Sequence, residues 1–234
     1  MKTIQLLSLL FIFLITSALN AQNRWAAVFG DDGAEFAYDI RITSDNGFII
    51  SGYGSDGGTS DFYLIKLNAN GITEWEKNLS LSNYSERGFS VTQTNDGGFV
   101  VFGNGGAGNY PYAVKFDADG DSLWTTRQWS EQLPYHRAVL AYGTELSDGR
   151  LVMITLDNMN KPWRYIISAQ GDLLQETELT GIVPPVWYNG TFTNDLEKTT
   201  DGGFIIAGAT GAGPGNNSFL WKFDANADSA WSKT

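Results

Sequence analysis

The 234-residue chain contains no cysteine, a single histidine and only six prolines. Without thiols it can form neither a disulfide nor a thiolate metal site, so its fold must be held by its core. One imidazole, His136, excludes a metal centre built from several histidines. Positive charge is also scarce. Fifteen Lys and Arg stand against 26 Asp and Glu, a formal net charge of −11, and such a surface repels nucleic-acid phosphates and anionic lipid. Long apolar runs are missing beyond the N-terminus. The one that exists, IQLLSLLFIFLI from Ile4 to Ile15, is too short to span a bilayer comfortably. It follows Lys2 and ends shortly before Ala21, the layout of a secretory signal peptide over residues 1–21. The expectation is an exported protein, secreted or held at the cell surface, not inserted in the membrane after cleavage. The absence of cysteine means that this signal is not a lipoprotein's.

Apolar residues make up 42% of the chain, aromatics 14%, and there are 27 glycines. This is the composition of a globular chain with many short strands and tight turns. One phrase occurs four times: TSDNGFIISGYG from Thr43, TNDGGFVVFGNG from Thr94, LSDGRLVMITLD from Leu146 and TTDGGFIIAGAT from Thr199. Its aspartates, Asp45, Asp96, Asp148 and Asp201, are 51, 52 and 53 residues apart. A second phrase follows each copy: DFYLIKLNANGITEW, YAVKFDADGDSLW, the divergent RYIISAQGDLLQ, and FLWKFDANADSAW. It ends on Trp75, Trp124 and Trp231, with Gln175 in the divergent copy.

Each unit reads as four strands, in the first copy over residues 37–43, 47–53, 62–68 and 73–79, here called A to D. The A–B connection carries Asp-Asn-Gly or Asp-Gly-Gly, a hairpin signal, and C–D carries Asn-Ala-Asn-Gly or Asp-Ala-Asp-Gly. Strand B is apolar on both faces, as in Phe99, Val100, Val101 and Phe102, so its sheet must be covered on both sides. With no helical segment to do the covering, small sheets must stack on one another. The expected fold is therefore all-β, a β-propeller of about 50-residue, four-stranded blades. The units fall near residues 31–79, 80–128, 129–179 and 180–234, within a propeller region spanning 22–234. A parallel β-helix has shorter coils and no hairpins, and a β-sandwich leaves the period unexplained.

These phrases resemble the propeller-like repeats of secreted bacterial proteins exported by the type IX system. The second phrase also resembles blades of the quinoprotein alcohol dehydrogenase-like superfamily, and the period is similar to that of kelch repeats. In kelch blades, however, the Gly pair closes a strand, whereas Gly97 and Gly98 precede one. The resemblance implies an architecture rather than an activity. Quinoprotein sites use calcium with acidic and amide ligands and often a vicinal disulfide, which this chain cannot form.

Repetition separates candidate residues. The four turn aspartates accept local backbone N–H groups by expectation. Lys66, Lys115 and Lys222 recur in strand C, with Ser168 read as the replacement in the third unit; each Lys should lay its stem along apolar surface and pair with a carboxylate of its own or the next blade. Asp117, Asp119 and Asp121 resemble the start of a calcium loop, but Ser122 and Gln128 stand where Gly and Glu are required. Glu35, Glu86, Glu131 and Glu197 are candidates for a paired-carboxylate glycosidase site, with nothing to select two of them. No catalytic residue, metal site or cofactor is expected. Because strands alternate in direction, the repeated A–B and C–D turns lie on one face and the variable B–C and D–A loops on the other. Trp129, Tyr135, His136, Trp163, Trp187 and Tyr188 belong to the variable side, next to Met159, Lys161, Pro162, Pro184 and Pro185. They form the expected binding surface for an extracellular glycan or protein. The function expected is that of a non-enzymatic binding or scaffold module, with a catalytic propeller such as a carbohydrate-active enzyme as the alternative. Trp231 starts a strand D near residue 234, and Trp25 opens in the same style, so the expectation is an incomplete ring of four blades, with a closed four-blade ring as the alternative.

Overall fold

A computed structural model describes residues 26, 28–30, 33–55, 58–127, 138, 140–157, 161–180, 195–209 and 218–233. Trp25, with the strand expected around it, lies outside them. Sixteen strands form four separate antiparallel sheets, each in the simple order A-B-C-D. Sheet 1 comprises β1 (Ala34–Ile42), β2 (Phe48–Ser55), β3 (Asp61–Leu67) and β4 (Thr73–Leu79). Sheet 2 comprises β5 (Arg87–Gln93), β6 (Phe99–Gly105), β7 (Tyr110–Phe116) and β8 (Ser122–Thr125). Sheet 3 comprises β9 (Leu140–Glu145), β10 (Leu151–Leu156), β11 (Pro162–Ile167) and β12 (Leu173–Glu178). Sheet 4 comprises β13 (Asp195–Lys198), β14 (Phe204–Ala209), β15 (Ser218–Phe223) and β16 (Ser229–Lys233). No sheet closes on itself; the sheets stack face to face as the blades of an incomplete all-β propeller.

The doubly apolar strands are the reason. Every residue of β6 and of β10 is buried. Val101 turns toward sheet 1, where it joins Ile49 and Leu64, while Val100 and Phe102 turn toward sheet 3, against Met153 and Tyr165. A third core joins sheets 3 and 4 through Val152, Ile166, Phe204, Trp221 and Phe223. Each such side chain, fully buried, contributes about 1.5–3 kcal/mol. The first strands lie closest together, β1 beside β5 and β5 beside β9. Across them Arg41 of β1 reaches sheet 4, bonding Glu197 at 3.0 Å, the Leu196 carbonyl at 3.0 Å and Asp195.

The repeated aspartates build the A–B turns. Asp45, Asp96 and Asp201 accept the N–H of Gly47, Gly98 and Gly203 at 2.9, 3.0 and 3.1 Å, and each also accepts the hydroxyl of the Thr two residues earlier. The recurring lysines reach the same carboxylates from the middle of the sheet, Lys66–Asp45 at 2.8 Å, Lys115–Asp96 at 2.7 Å and Lys222–Asp201 at 2.9 Å. All three pairs lie within one sheet, which decides between the two partners the sequence left open, a carboxylate of the same blade or of the next. The second glycine of the turn makes room for this. A side chain on Gly47, Gly98 or Gly203 would collide with the Lys Nζ and with the carbonyl of the residue after it.

Sheet 3 departs from this pattern, and it corrects the sequence alignment. Ile166 pairs with Gln175 as Lys66 pairs with Trp75 and Lys115 with Trp124, so Ile166, not Ser168, stands in place of the lysine. Ser168 instead opens the C–D turn, its Oγ accepting from Gln170 and Asp172 at 3.2 and 3.0 Å. With no ammonium to admit, Arg150 fills the glycine position and pairs with Asp148 from within the turn, at 2.7 Å. Lysine and glycine are lost together because each exists for the other.

This coupling is testable in sheet 2. Gly98→Arg and Lys115→Ile should each destabilise the protein, while the double variant, which copies sheet 3, should recover part of the loss. Denaturant unfolding should give a coupling of about 1–3 kcal/mol, and strict additivity would overturn the account. The carboxylates also set an acid limit. Hydrogen bonds from Lys66, Thr43 and Gly47 hold Asp45 well below its ordinary range. Burial works against Asp96, yet Lys115, Thr94 and Gly98 bring it down to about 2. Their stabilisation is complete above the unfolded pKa of about 4 and is lost as pH falls below it, so unfolding midpoints should drop steeply between roughly pH 4 and 2.

Candidate functional site

The described parts of the B–C and D–A connections lie at the end opposite the repeated turns, and the first of them bring a buried glutamate, Glu86, near the half-buried Asp61. Residues 80–86 leave β4 through a run of small polar turns, Ser80 Oγ donating to the Ser82 carbonyl at 3.1 Å and Tyr84 N–H to Ser82 Oγ at 3.1 Å. The run ends on Glu86, whose N–H donates to the Ser60 carbonyl at 2.6 Å, while Ser60 N–H donates to Ser85 Oγ at 3.3 Å. Arg127 holds the same loop from sheet 2 through the Leu81 carbonyl. Gly105 lies against the Glu86 side chain, where any Cβ would be 2.6 Å from its Cγ.

Glu86 has no exposed surface. One of its oxygens accepts Ser82 Oγ–H; the other, Oε2, and Asp61 Oδ1 are both buried and meet no donor group. Burial pushes Glu86 up to about 7 and the nearby Asp61 carboxyl adds to the rise, against the Ser82 hydroxyl and the Leu81 backbone. A carboxyl removed from water beside a second carboxyl favours its neutral form.

In sheet 3 the equivalent end is organised by Asp157, also buried. It accepts Lys161 N–H at 2.8 Å and Trp163 Nε1–H at 3.2 Å, and Lys161 pairs with Glu178 at 3.0 Å. Between these two sites, Asn104 donates to the Ala138 carbonyl at 2.6 Å and Ala138 N–H to the Asn109 carbonyl at 2.7 Å.

Of the expected binding residues, Trp163 sits on β11, half-buried, with its ring on the core shared by sheets 2 and 3. Trp129, Tyr135, His136, Trp187 and Tyr188 lie outside the described residues, as do Met159, Pro184 and Pro185. Among the candidate glutamates, Glu86 pairs with Asp61 rather than with another Glu, Glu197 binds Arg41, Glu35 lies beside Gly30, and Glu131 is outside the described residues. Sequence reasoning missed Asp61 and Asp157. Their place at the edge of a B–C loop was visible, but neither recurs in a motif. Asp117 Oδ1 accepts the N–H of Asp119 and Asp121 at 3.0 and 2.8 Å, as Asn68 and Asp224 do in their own turns, so the calcium-like spelling makes a turn. Among the described residues no group of three or more His, Asp or Glu is placed to hold a metal ion, and no helix is long and apolar enough to cross a membrane.

The opposite face carries a cavity of about 110 Å³ beside Asn95, Thr144, Glu145 and Lys198. Glu145 accepts Asn95 N–H at 2.8 Å, and Gln93 accepts Ser44 N–H at 2.7 Å at the junction before it. Lys198, the corresponding residue of sheet 4, offers no acceptor. The space admits a few waters but falls well short of the roughly 300 Å³ of a small-molecule pocket.

No protein-family model matches the chain, and no curated protein matches it either. Among solved structures it is similar to a protein of unknown function from Bacteroides caccae, with a TM-score of 0.53 and 12% identity over 90% of this chain and 64% of that one. That likeness supports the fold alone. A second structure, described as the eukaryotic initiation factor, has a TM-score of 0.36 and 8% identity over 84% of this chain and 55% of that one, too low to carry an argument. The chain thus spans less than two thirds of the length of either.

The carboxyl pair has a thermodynamic signature. Folded Glu86 keeps its proton to about pH 7, whereas the unfolded carboxyl releases it near 4.5. Over that interval the unfolded state binds fewer protons, so stability falls as pH rises. Glu86→Gln, which cannot ionise, should make stability flat from pH 4.5 to 7. A parent protein already flat in that range would overturn the raised Glu86 pKa.

Proposed function

We propose that this protein is an exported, non-enzymatic propeller that binds an extracellular glycan or protein through the face formed by its B–C and D–A loops. The observation that carries the reading is the contrast between the two ends of the sheets. At one end the four A–B turns repeat the same hydrogen bonds, and four Asx- or Ser-type C–D turns repeat another set. At the other, the described junctions are built differently, by Glu86 with Ser60 and Ser82, by Asn104 with Ala138, and by Asp157 with Trp163. A scaffold that repeats one end and varies the other puts its specificity in the varied loops. The apolar N-terminal segment and the type IX-like repeat phrases support export, and the net charge of −11 argues against nucleic acid as the partner.

The carboxyl pair is the one observation favouring the alternative, a carbohydrate-active enzyme. A retaining or inverting glycosidase needs two carboxyls on either side of an accessible bond. Glu86 is wholly buried and tied into its loop by Ser82 and Ser60, which suits a locked loop junction better than an attack on substrate.

A glycan array and an extracellular-protein array, both probed with the full chain, test the proposal. Saturable binding to one ligand class, weakened by Ala substitution at Trp129, Trp187 or Tyr188 and untouched by Glu86→Gln, is the expected result. Ligand turnover abolished by Glu86→Gln would move the protein to the enzymatic reading, and blank arrays of both kinds would overturn the binding one.

A further inference from the structure

Neighbouring sheets are joined by a recurring lock at their outer strands. Trp75 of β4 donates its indole N–H to the Ala118 carbonyl in the C–D turn of sheet 2, at 3.2 Å, and Trp124 of β8 donates to Ala169 in the turn of sheet 3, at 3.1 Å. Beneath each ring is a turn glycine, Gly120 or Gly171, where a Cβ would lie 2.9 or 2.8 Å from the indole. Lys77 adds an ion pair to Asp121 of sheet 2 at 2.7 Å. From sheet 3 to sheet 4, where the Trp position is Gln175, Arg164 makes the link instead, to the Ala227 carbonyl and to Asp228 at 2.6 Å.

Sheet 4 carries the same key with nothing in it. Trp231 pairs with Lys222 and Lys233 with Leu220, the registers in which Trp75 faces Lys66 and Lys77 faces Leu64. Yet Leu64 is 1% exposed while Leu220 is 41% exposed, and Trp231 is 42% exposed with Lys233 Nζ resting 5.5 Å over its ring. Ile205 and Ala207, on the same face, are only half-buried.

We propose that this face of sheet 4 docks one further four-stranded unit of the same repeat type, supplied from outside residues 1–234. Its C–D turn gives a carbonyl to the Trp231 indole, a glycine beneath the ring and an aspartate to Lys233. The aspartate discriminates between occupants. Sheets 2, 3 and 4 have Asp121, Asp172 and Asp228 at that turn position, but sheet 1 has Ile72, 63% exposed. A second copy of this chain, offering its sheet 1, would leave the Lys233 ammonium facing an isoleucine. The inference does not depend on what the loop face binds.

The test appends a copy of residues 80–128, which carries the Asp121 turn, after Thr234 of the full chain, and labels the protein with 5-fluorotryptophan. The resonance missing in Trp231→Phe identifies Trp231. Its relaxation by a soluble gadolinium chelate should fall several-fold in the extended chain, and Asp121→Ile within the appended copy should restore part of the exposure. Because Trp231 lies on the surface, Trp231→Ala should leave the unextended chain folded while lowering the melting temperature of the extended one. Undiminished relaxation of Trp231 in the extended chain overturns the proposal. So does sedimentation of the unextended chain as a dimer with Trp231 protected, which would assign the face to a second copy.

Discussion

A lysine ammonium held inside a sheet by the carboxylate of its own hairpin turn is the interaction on which this architecture rests. The charge sits at the end of a stem that runs along apolar surface, and the carboxylate that receives it keeps more than half its own surface in water. That asymmetry limits the cost of burial, because only one partner is desolvated and the other is already fixed by the Thr hydroxyl and the Gly N–H. The pair ties strand C to the A–B hairpin in sheets 1, 2 and 4, joining three strands of one blade. A blade with this internal tie presents two flat apolar faces instead of one curled sheet. Stacking then adds area on both sides, which is how about 50 residues at a time build a fold without a disulfide.

The lock between blades follows from the same geometry. Because the lysine occupies strand C, its partner on strand D faces the next blade, and there the sequence places tryptophan. The indole lies flat over a glycine in the adjoining C–D turn and hydrogen-bonds a carbonyl that the turn leaves unpaired. Sheet 3 shows that the job can be done differently: with Ile166 for lysine and Gln175 for tryptophan, Arg164 from strand C reaches the same turn. The substitution preserves the contact while changing every residue that makes it, evidence that the contact and not the residue type is required.

Much of this was legible in the sequence. Strand content, the four-strand unit and the stacking followed from the doubly apolar strand B and from the glycines after Asp45, Asp96 and Asp201. The Lys–Asp pairing was legible too, since both members recur at fixed spacing. The third unit was misread by two residues because Ser168 was matched to the lysine, although Ser168-Ala-Gln-Gly-Asp aligns without a gap on Asp117-Ala-Asp-Gly-Asp and so puts Ile166 at the lysine position; the bulge before the turn is common to all four sheets. The pairing of Glu86 with Asp61 was illegible for another reason. Both residues occur once, 25 positions apart, and their meeting depends on where two irregular loops cross, which neither periodicity nor propensity determines. Repetition makes contacts within a blade readable; contacts between unique loops carry no second copy to compare.

That difference bears on where function resides in such a protein. A residue that serves the blade must be kept in every unit or replaced by a local equivalent, as Arg150 and Ile166 together replace Gly and Lys. A residue that serves a ligand has no such obligation, and it accumulates where the backbone is already held by other means. The loop end meets this condition. Its connections begin and end on strands pinned at the far end by ion pairs, so their composition is free to vary without loosening the core. Glu86 illustrates the constraint that remains: a loop that departs from the repeat still has to accommodate its buried polar groups, and a carboxyl with no exposed surface and an oxygen that meets no donor is held toward its neutral form.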